Sequence, residues 1–294
     1  MPLVEALQQF REEKPAYFRI PGHRFERGLD EALSGATLAS YDLSEAEGLD
    51  DLHHAEGVIA EAQKLAAETW KAKKTFFLVN GTTCGNEAMV LSTVKEGEKI
   101  IVPRNVHKSV LMGLILSGAT PVYVMPEYST KWQMWGGVTP ETIEKAFMET
   151  PDAKAVLLVS PTYYGLCSNL RAIAEICHRH DAVLLVDEAH GSHLYFSEKL
   201  PSGALESGAD ACAQSIHKTA GSFTQSSLLS IGSERLDASR VAANLQMVQS
   251  TSPSYLLMAS LDAARRGMAL HGKERMECAI ALSRTARQEI GRIE

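Results

Sequence analysis

Between residues 3 and 13 the apolar positions Leu3, Leu7 and Phe10 recur with helical period. Pro15 and the Pro21-Gly22 pair then break the chain into an extended arm that continues through a loop-rich stretch to about Leu52. From 57 to 71, Val58, Ile59, Ala62, Leu65, Ala66 and Trp70 again follow a helical period, and the short apolar run at 75–79 predicts a buried strand. A regular alternation starts there. Further strands are predicted at 99–102, 121–124, 155–159, 183–186, 211–214 and 227–231, with helical patterns at 85–94, 110–116, 140–148 and 170–180 between several of them. The strand segments are short, continuous and β-branched, as a sheet covered on both faces requires. Strands and helices alternating in this way predict an α/β fold, a mostly parallel sheet flanked by helices. Beyond Ser233 the strand signals stop, and 235–247 and 255–292 read as long helices, the last running uncapped to Glu294 as if cut from a longer chain. The expected organisation is an N-terminal arm and loop-rich segment over 1–54 and one major domain over 55–294.

Composition narrows the function classes. The 294 residues are 45% hydrophobic and 22% charged, ordinary values for a folded chain able to bury a large core. Lys and Arg number 29 against 36 Asp and Glu, a net charge of -7, so the basic footprint of a nucleic-acid binder is missing. The five cysteines, at 84, 167, 177, 212 and 278, show no CxxC spacing and read as free thiols of a reducing compartment. The N-terminus has no basic-then-apolar leader and no apolar run reaches the roughly 18 residues of a membrane span, so a cytoplasmic protein is expected.

The sharpest chemistry lies between Val183 and Lys218. The strand at 183–186 delivers Asp187 at its carboxyl end, where open α/β sheets bind ligands, followed by Glu188, Ala189, His190 and Gly191. Asp-Glu-Ala-His alone also matches the metal-binding box of a helicase, but the phosphate loop that reading needs is missing. A carboxylate that merely caps a turn is the plainer alternative. The next strand, 211–214, runs into Ser215, Ile216, His217 and Lys218. A lone lysine after a strand is usually a solvated surface residue. A strand-end acid followed by a strand-end Ser-x-His-Lys is, however, the pattern of pyridoxal-phosphate enzymes of the aspartate aminotransferase fold, in which the lysine holds the cofactor aldehyde and the acid pairs with the pyridine nitrogen. Gly81-Thr82-Thr83, between a predicted strand and helix, offers backbone amides and hydroxyls to an anion, or equally a tight turn with a helix cap. His53-His54 and the His190, His193 pair lack further ligands at metal-binding spacing, so no metal is expected. Trp132, Met134 and Trp135 read as a packed surface loop.

With that pair in hand, eight ordered motifs resemble the Orn/Lys/Arg decarboxylases of this fold, and among them the shorter biosynthetic arginine decarboxylases of the Bacillus type. The motifs are Phe18 to His23, Asp50 to His53, Asn80 to Thr83, Pro103 to Ser109, Pro161 to Gly165, Asp187 to Gly191, Ser215 to Lys218, and Ser250 to Tyr255 with the residues on to Asp262. The resemblance implies pyridoxal 5'-phosphate as cofactor, a basic amino acid as substrate, and decarboxylation of L-arginine to agmatine for polyamine synthesis. It implies that Lys218 carries the cofactor, Asp187 holds the ring nitrogen protonated, His107 stacks on one ring face with Ala189 on the other, and His190 lies beside the ring. Gly81, Thr82, Thr83, Ser215 and His217 would hold the phosphate. Thr251 and Ser252 would reach the phosphate of a partner subunit, in a homodimer or larger homo-oligomer with its site at the interface. Family members continue into a C-terminal small domain, which is expected to be absent here. Lysine or ornithine decarboxylation, an aminotransferase or aldolase on the same fold, and an inactive truncated paralogue remain alternatives.

Overall fold

The computed structural model describes residues 1–13 and 40–293. The segment Phe18 to His23 lies outside the described residues. Nine strands are seen among those described: β1 (Lys74–Leu78), β2 (Lys99–Pro103), β3 (Thr120–Val124), β4 (Tyr128–Ser129), β5 (Met134–Trp135), β6 (Ala155–Val159), β7 (Val183–Asp187), β8 (Ala211–Gln214) and β9 (Ser227–Ile231). The helices are α1 (Pro2–Glu13), α2 (Val58–Thr69), α3 (Gly81–Thr93), α4 (Lys108–Ser117), α5 (Pro140–Glu149), α6 (Leu170–Arg179), α7 (Ile216–Thr219), α8 (Ala238–Val248) and α9 (Tyr255–Ile290). Every strand expected from the sequence forms. The principal sheet runs β1-β9-β8-β7-β6-β2-β3, and β4 and β5 pair apart from it. Strands β8, β7, β6, β2 and β3 are mutually parallel, whereas β9 is antiparallel to both of its neighbours. The α/β fold with a mostly parallel, helix-flanked sheet is therefore observed.

Alternation along each strand sorts side chains between two cores. Ile100, Val102, Leu157 and Leu185 face the layer of α3, α4 and α8, where Met89, Leu114 and Val241 are buried. Ile101, Val156, Leu158, Leu184 and Val186 face α5 and α6, meeting Ile143, Phe147 and Ile173. A third cluster joins Phe77 and Leu228 to α2, α9 and α1 through Trp70, Tyr255, Leu3 and Leu7.

Two polar features brace that third cluster, the first buried and joining chain-distant helices, the second local. The Leu3 amide donates to Asp262 Oδ2 at 3.2 Å and Arg265 Nη2 to Asp262 Oδ1 at 2.8 Å, with Asp262 wholly buried. Truncating one side of a buried charge pair strands the other, so Asp262→Ala is expected to cost about 3–5 kcal/mol in urea unfolding. A loss below about 1 kcal/mol would mean that the pair does not fasten α1 to α9. Asp50 is the second feature: its carboxylate accepts backbone N–H bonds from Asp51, Glu56, Gly57, Ile59 and Ala60 and so anchors the start of α2. Although burial pushes that carboxyl up, these bonds hold it below its ordinary range.

Helix boundaries differ from expectation at three places. Helix α8 begins at Ala238 behind an Asp237 cap, three residues later than its apolar pattern suggested. Helix α9 ends at Ile290 with Gly291 as its C-cap, where a cap was not expected. Helix α3 begins at Gly81 instead of 85, because Gly81 takes a left-handed φ of +71° that lets β1 turn directly into the helix. Trp132, in the turn between β4 and β5, and Trp135, within β5, were expected in a packed surface loop and are substantially exposed.

Candidate active site

Strand direction decides where the polar segments meet. The carboxyl ends of the parallel strands β2, β6, β7 and β8 share one edge of the sheet. Because β9 is antiparallel, its amino end with Ser226 and Ser227 lies at that same edge, paired with the carboxyl end of β1 at Leu78. His107 after β2, Asp187 ending β7, Ser215 to Lys218 after β8, and Gly81 to Thr83 after β1 are thereby gathered from four segments onto one rim. Ligands of open α/β sheets bind on that kind of rim.

The acid is fixed by neutral donors. Asp187 is 3% exposed; its Oδ2 accepts from Asn86 Nδ2 at 2.8 Å and its Oδ1 from the Ala189 amide at 3.1 Å. Among the described residues no ion pair reaches it. A buried carboxylate without a cation is costly unless a donor, best a charged one, approaches it. Asn86 donates a second bond, 2.9 Å, to Ser109 Oγ, which stands 2.9 Å from His107 Nδ1. The Ser109 amide also donates to Nδ1, so that nitrogen accepts and the imidazole proton sits on Nε2. His107 caps α4 in this way, and the chain His107, Ser109, Asn86, Asp187 links imidazole to acid. Asn86 and Ser109 were not among the expected site residues. Asn86 follows Thr82 by four positions and so shares its helix face, a signal that the sequence did carry.

The opposite corner is rich in hydroxyls. Thr82 Oγ1 lies 2.5 Å from Ser215 Oγ and 3.2 Å from Ser227 Oγ, all three residues being buried. Helix α3 opens beside them without a side-chain cap, since the Asn80 side-chain oxygen Oδ1 accepts instead from the Ser250 amide at 3.2 Å. Its first-turn amides therefore face outward as anion donors. Close packing brings that helix down to the sheet: a Cβ at Gly85 would stand 2.8 Å from Leu78 Cδ1 and 3.0 Å from Ala213 Cβ. His217 Nδ1 donates to the Ser226 carbonyl at 2.9 Å, joining the lysine segment to the start of β9. Thr251 and Ser252 are exposed in the loop before α9, which is tethered to Asn80 through Ser250; no bond brings them to Lys218.

Lys218 is exposed, and its Nζ stands 3.3 Å from His190 Nε2. Burial, then the positive charge of Lys218, hold the His190 imidazole below its ordinary titration range, against the opposing pull of Asp187. Ala189 is buried between Asp187 and His190. Among the described residues no group of three His, Cys, Asp or Glu side chains is placed to hold a metal, and no helix is long and apolar enough to cross a membrane.

Glu188 turns the other way, into the interior. It accepts from Tyr195 Oη and Gln214 Nε2, each at 2.8 Å, and from the Ala204 amide at 2.7 Å. It thus pins β7 to the residue preceding Ser215. Complete burial pushes this carboxyl up to about 7 despite those donors. The folded state therefore binds a proton that the unfolded chain, titrating near 4.5, releases. That contribution is full below about 4.5 and is lost as pH rises through about 7. Wild-type protein is expected to lose up to about 3 kcal/mol more than Glu188→Gln between pH 4.5 and pH 8 in urea unfolding. Equal losses in both proteins would show that the carboxyl titrates normally.

Three comparisons bear on identity. The family model for the Orn/Lys/Arg decarboxylase major domain matches residues 1–294. The arginine decarboxylase of Halalkalibacterium halodurans is 46% identical over 296 residues, and that of Bacillus subtilis 42% over 296 residues. In each case all of this chain aligns, and it spans 60% of the relative's length. The solved lysine decarboxylase A of Pseudomonas aeruginosa superposes with a TM-score of 0.83 at 28% identity, over 94% of this chain and 41% of that one.

Proposed function

The chain belongs to the Orn/Lys/Arg decarboxylase family, and from that premise we propose that it binds pyridoxal 5'-phosphate and decarboxylates L-arginine to agmatine and CO2. The observation that carries the reading is the placement of Lys218, in α7 just past β8, on the same rim as a buried Asp187 that ends the neighbouring strand and has no ion pair among the described residues. Arginine is preferred because the arginine decarboxylases of Halalkalibacterium halodurans and Bacillus subtilis align over the whole chain at 42–46% identity, well above the 28% of the solved lysine decarboxylase.

The residues present suit the cofactor. A protonated pyridine nitrogen is the cation that a buried Asp187 calls for, and the hydroxyls of Thr82, Thr83 and Ser215 with the open amides of α3 suit a phosphate. When bound, the cofactor supplies an electron sink for the pair left by departing CO2. Lys218 supplies the amine that binds its aldehyde. Asp187 holds a proton at the ring nitrogen, with Asn86 and the Ala189 amide keeping its two oxygens in place. His107, braced through Nδ1, and Ala189, with its small side chain, would flank the ring. His217 fixes the backbone that carries Lys218.

In this reading residues 55–294 form the cofactor-binding body and 1–54 the arm. The protein works in cytoplasmic polyamine synthesis as a homo-oligomer, with Thr251 and Ser252 serving a partner's phosphate. The test is an absorption spectrum of the purified protein with pyridoxal phosphate, before and after arginine, with agmatine, cadaverine and CO2 assayed together. A visible band with agmatine and stoichiometric CO2 is the expected result. Cadaverine from lysine in preference to agmatine would reassign the substrate, and no band would remove the cofactor.

A further inference from the structure

The contact between Lys218 and His190 carries more than proximity. An ammonium can only donate, so with Lys218 protonated the His190 Nε2 at 3.3 Å must be the acceptor and the imidazole neutral. Among the described residues no carboxylate forms an ion pair with Lys218, and the oxygens of nearby Asp187 are occupied by Asn86 and the Ala189 amide. His190 is half-buried, with one side open to water, and the ring of Tyr163 meets it edge-on at 5.8 Å between centroids. It is placed between a lysine that must lose a proton before it can react and a solvent that can take one.

We propose that His190 is the proton exchanger of Lys218, an inference that rests on the function proposed above. The N–H bond broken is at Nζ and the one formed is at Nε2. The positive charge moves from lysine to imidazole and then to solvent, and the amine is left with a free lone pair for an aldehyde. The reverse transfer reprotonates the lysine whenever it is released. The charged and titratable groups around the imidazole agree with this direction. Burial, and after it the charge of Lys218, disfavour the imidazolium, while Asp187 favours it; the neighbouring His193 is itself held below its ordinary range by burial and by His190. A neutral acceptor at pH 7 results, with a transient rather than a resting charge.

Two measurements test the pairing. The first needs no cofactor: histidine side-chain NMR titration of the cofactor-free protein, with the His190 signal identified by its loss in His190→Gln. Lys218→Met removes the adjacent positive charge, so the His190 midpoint is expected to rise; an unchanged midpoint would break the pair. The second is the rate at which the visible band forms on adding pyridoxal phosphate. General acid–base assistance is commonly worth about 10²–10⁴-fold, so His190→Ala and His190→Gln are both expected to slow band formation by about a hundredfold. Added imidazole should restore the alanine variant. Wild-type rates in both variants, or slowing that imidazole does not relieve, would reduce His190 to a packing residue. A wild-type protein that shows the NMR shift but never forms a band would instead sink the proposed function and leave the pair intact.

Discussion

Lys218→Ala is expected to abolish both the visible absorption band of lysine-bound pyridoxal phosphate and the release of agmatine, while leaving the fold untouched. The side chain is exposed and, among the described residues, its ammonium forms no ion pair and has one hydrogen bond, to His190. Removing such a group changes stability by no more than about 0.5 kcal/mol. Thermal or urea unfolding of the variant should therefore overlay that of the wild type, which separates lost chemistry from lost structure. The reason for so complete a loss is chemical: the aldehyde needs a primary amine, and among the described residues Lys218 is the lysine whose amine meets His190. A nearby histidine cannot replace the lysine, because a secondary ring nitrogen has no second hydrogen to give up in forming a double bond to carbon. Agmatine release by Lys218→Ala at a substantial fraction of the wild-type rate would refute the assignment of the cofactor lysine.

Asp187→Asn should separate binding from rate. Under the proposed function the lysine linkage survives, since Lys218 and the hydroxyl cluster of Thr82, Ser215 and Ser227 are untouched, and the visible band remains. Agmatine release is expected to fall by about 10³–10⁴-fold, a barrier increase of about 4–5.5 kcal/mol at about 1.4 kcal/mol per tenfold. A carboxylate keeps the ring nitrogen protonated through its charge; an amide of the same shape offers a dipole in its place. The surrounding network can absorb the substitution. The carboxamide oxygen of the new side chain can take the place of Asp187 Oδ2 as acceptor for Asn86 Nδ2, which leaves the Asn86–Ser109–His107 bonds unchanged. The cost therefore falls on rate and not on folding. A reduction of less than tenfold would show that the reaction does not need an acid at this position.

How far the sequence reached can be followed through individual residues. The alternation of Ile100, Ile101 and Val102 was enough to place β2 inside a two-faced sheet, because side chains on a strand point to opposite sides in turn. Asp187 was legible because it follows a short apolar run directly, and Lys218 because it closes the Ser-x-His-Lys run just past the next one; in parallel sheets the strand end is where function collects. The start of α3 was misplaced because Gly81 and two threonines read as a turn, and only the local backbone shows that they are the helix's first residues. Asn86, Ser109 and Glu188 act through partners 101, 23 and 26 positions away in the bonds that define them. Periodicity cannot report such contacts.

The sequence by itself determined the α/β class and the position of every strand of the principal sheet and of most helices, and it singled out Lys218 and Asp187 as the proposed reactive lysine and acid. Those depend on local periodicity and on residues adjacent to a strand end. Only the tertiary structure decided that β9 runs antiparallel, that Ser227 thereby joins Thr82 and Ser215, that Asn86 holds Asp187, and that His190 meets Lys218. A fully buried apolar strand reads the same in either direction, and hydrogen bonds between side chains far apart in the chain exist only once the sheet has set its strand order.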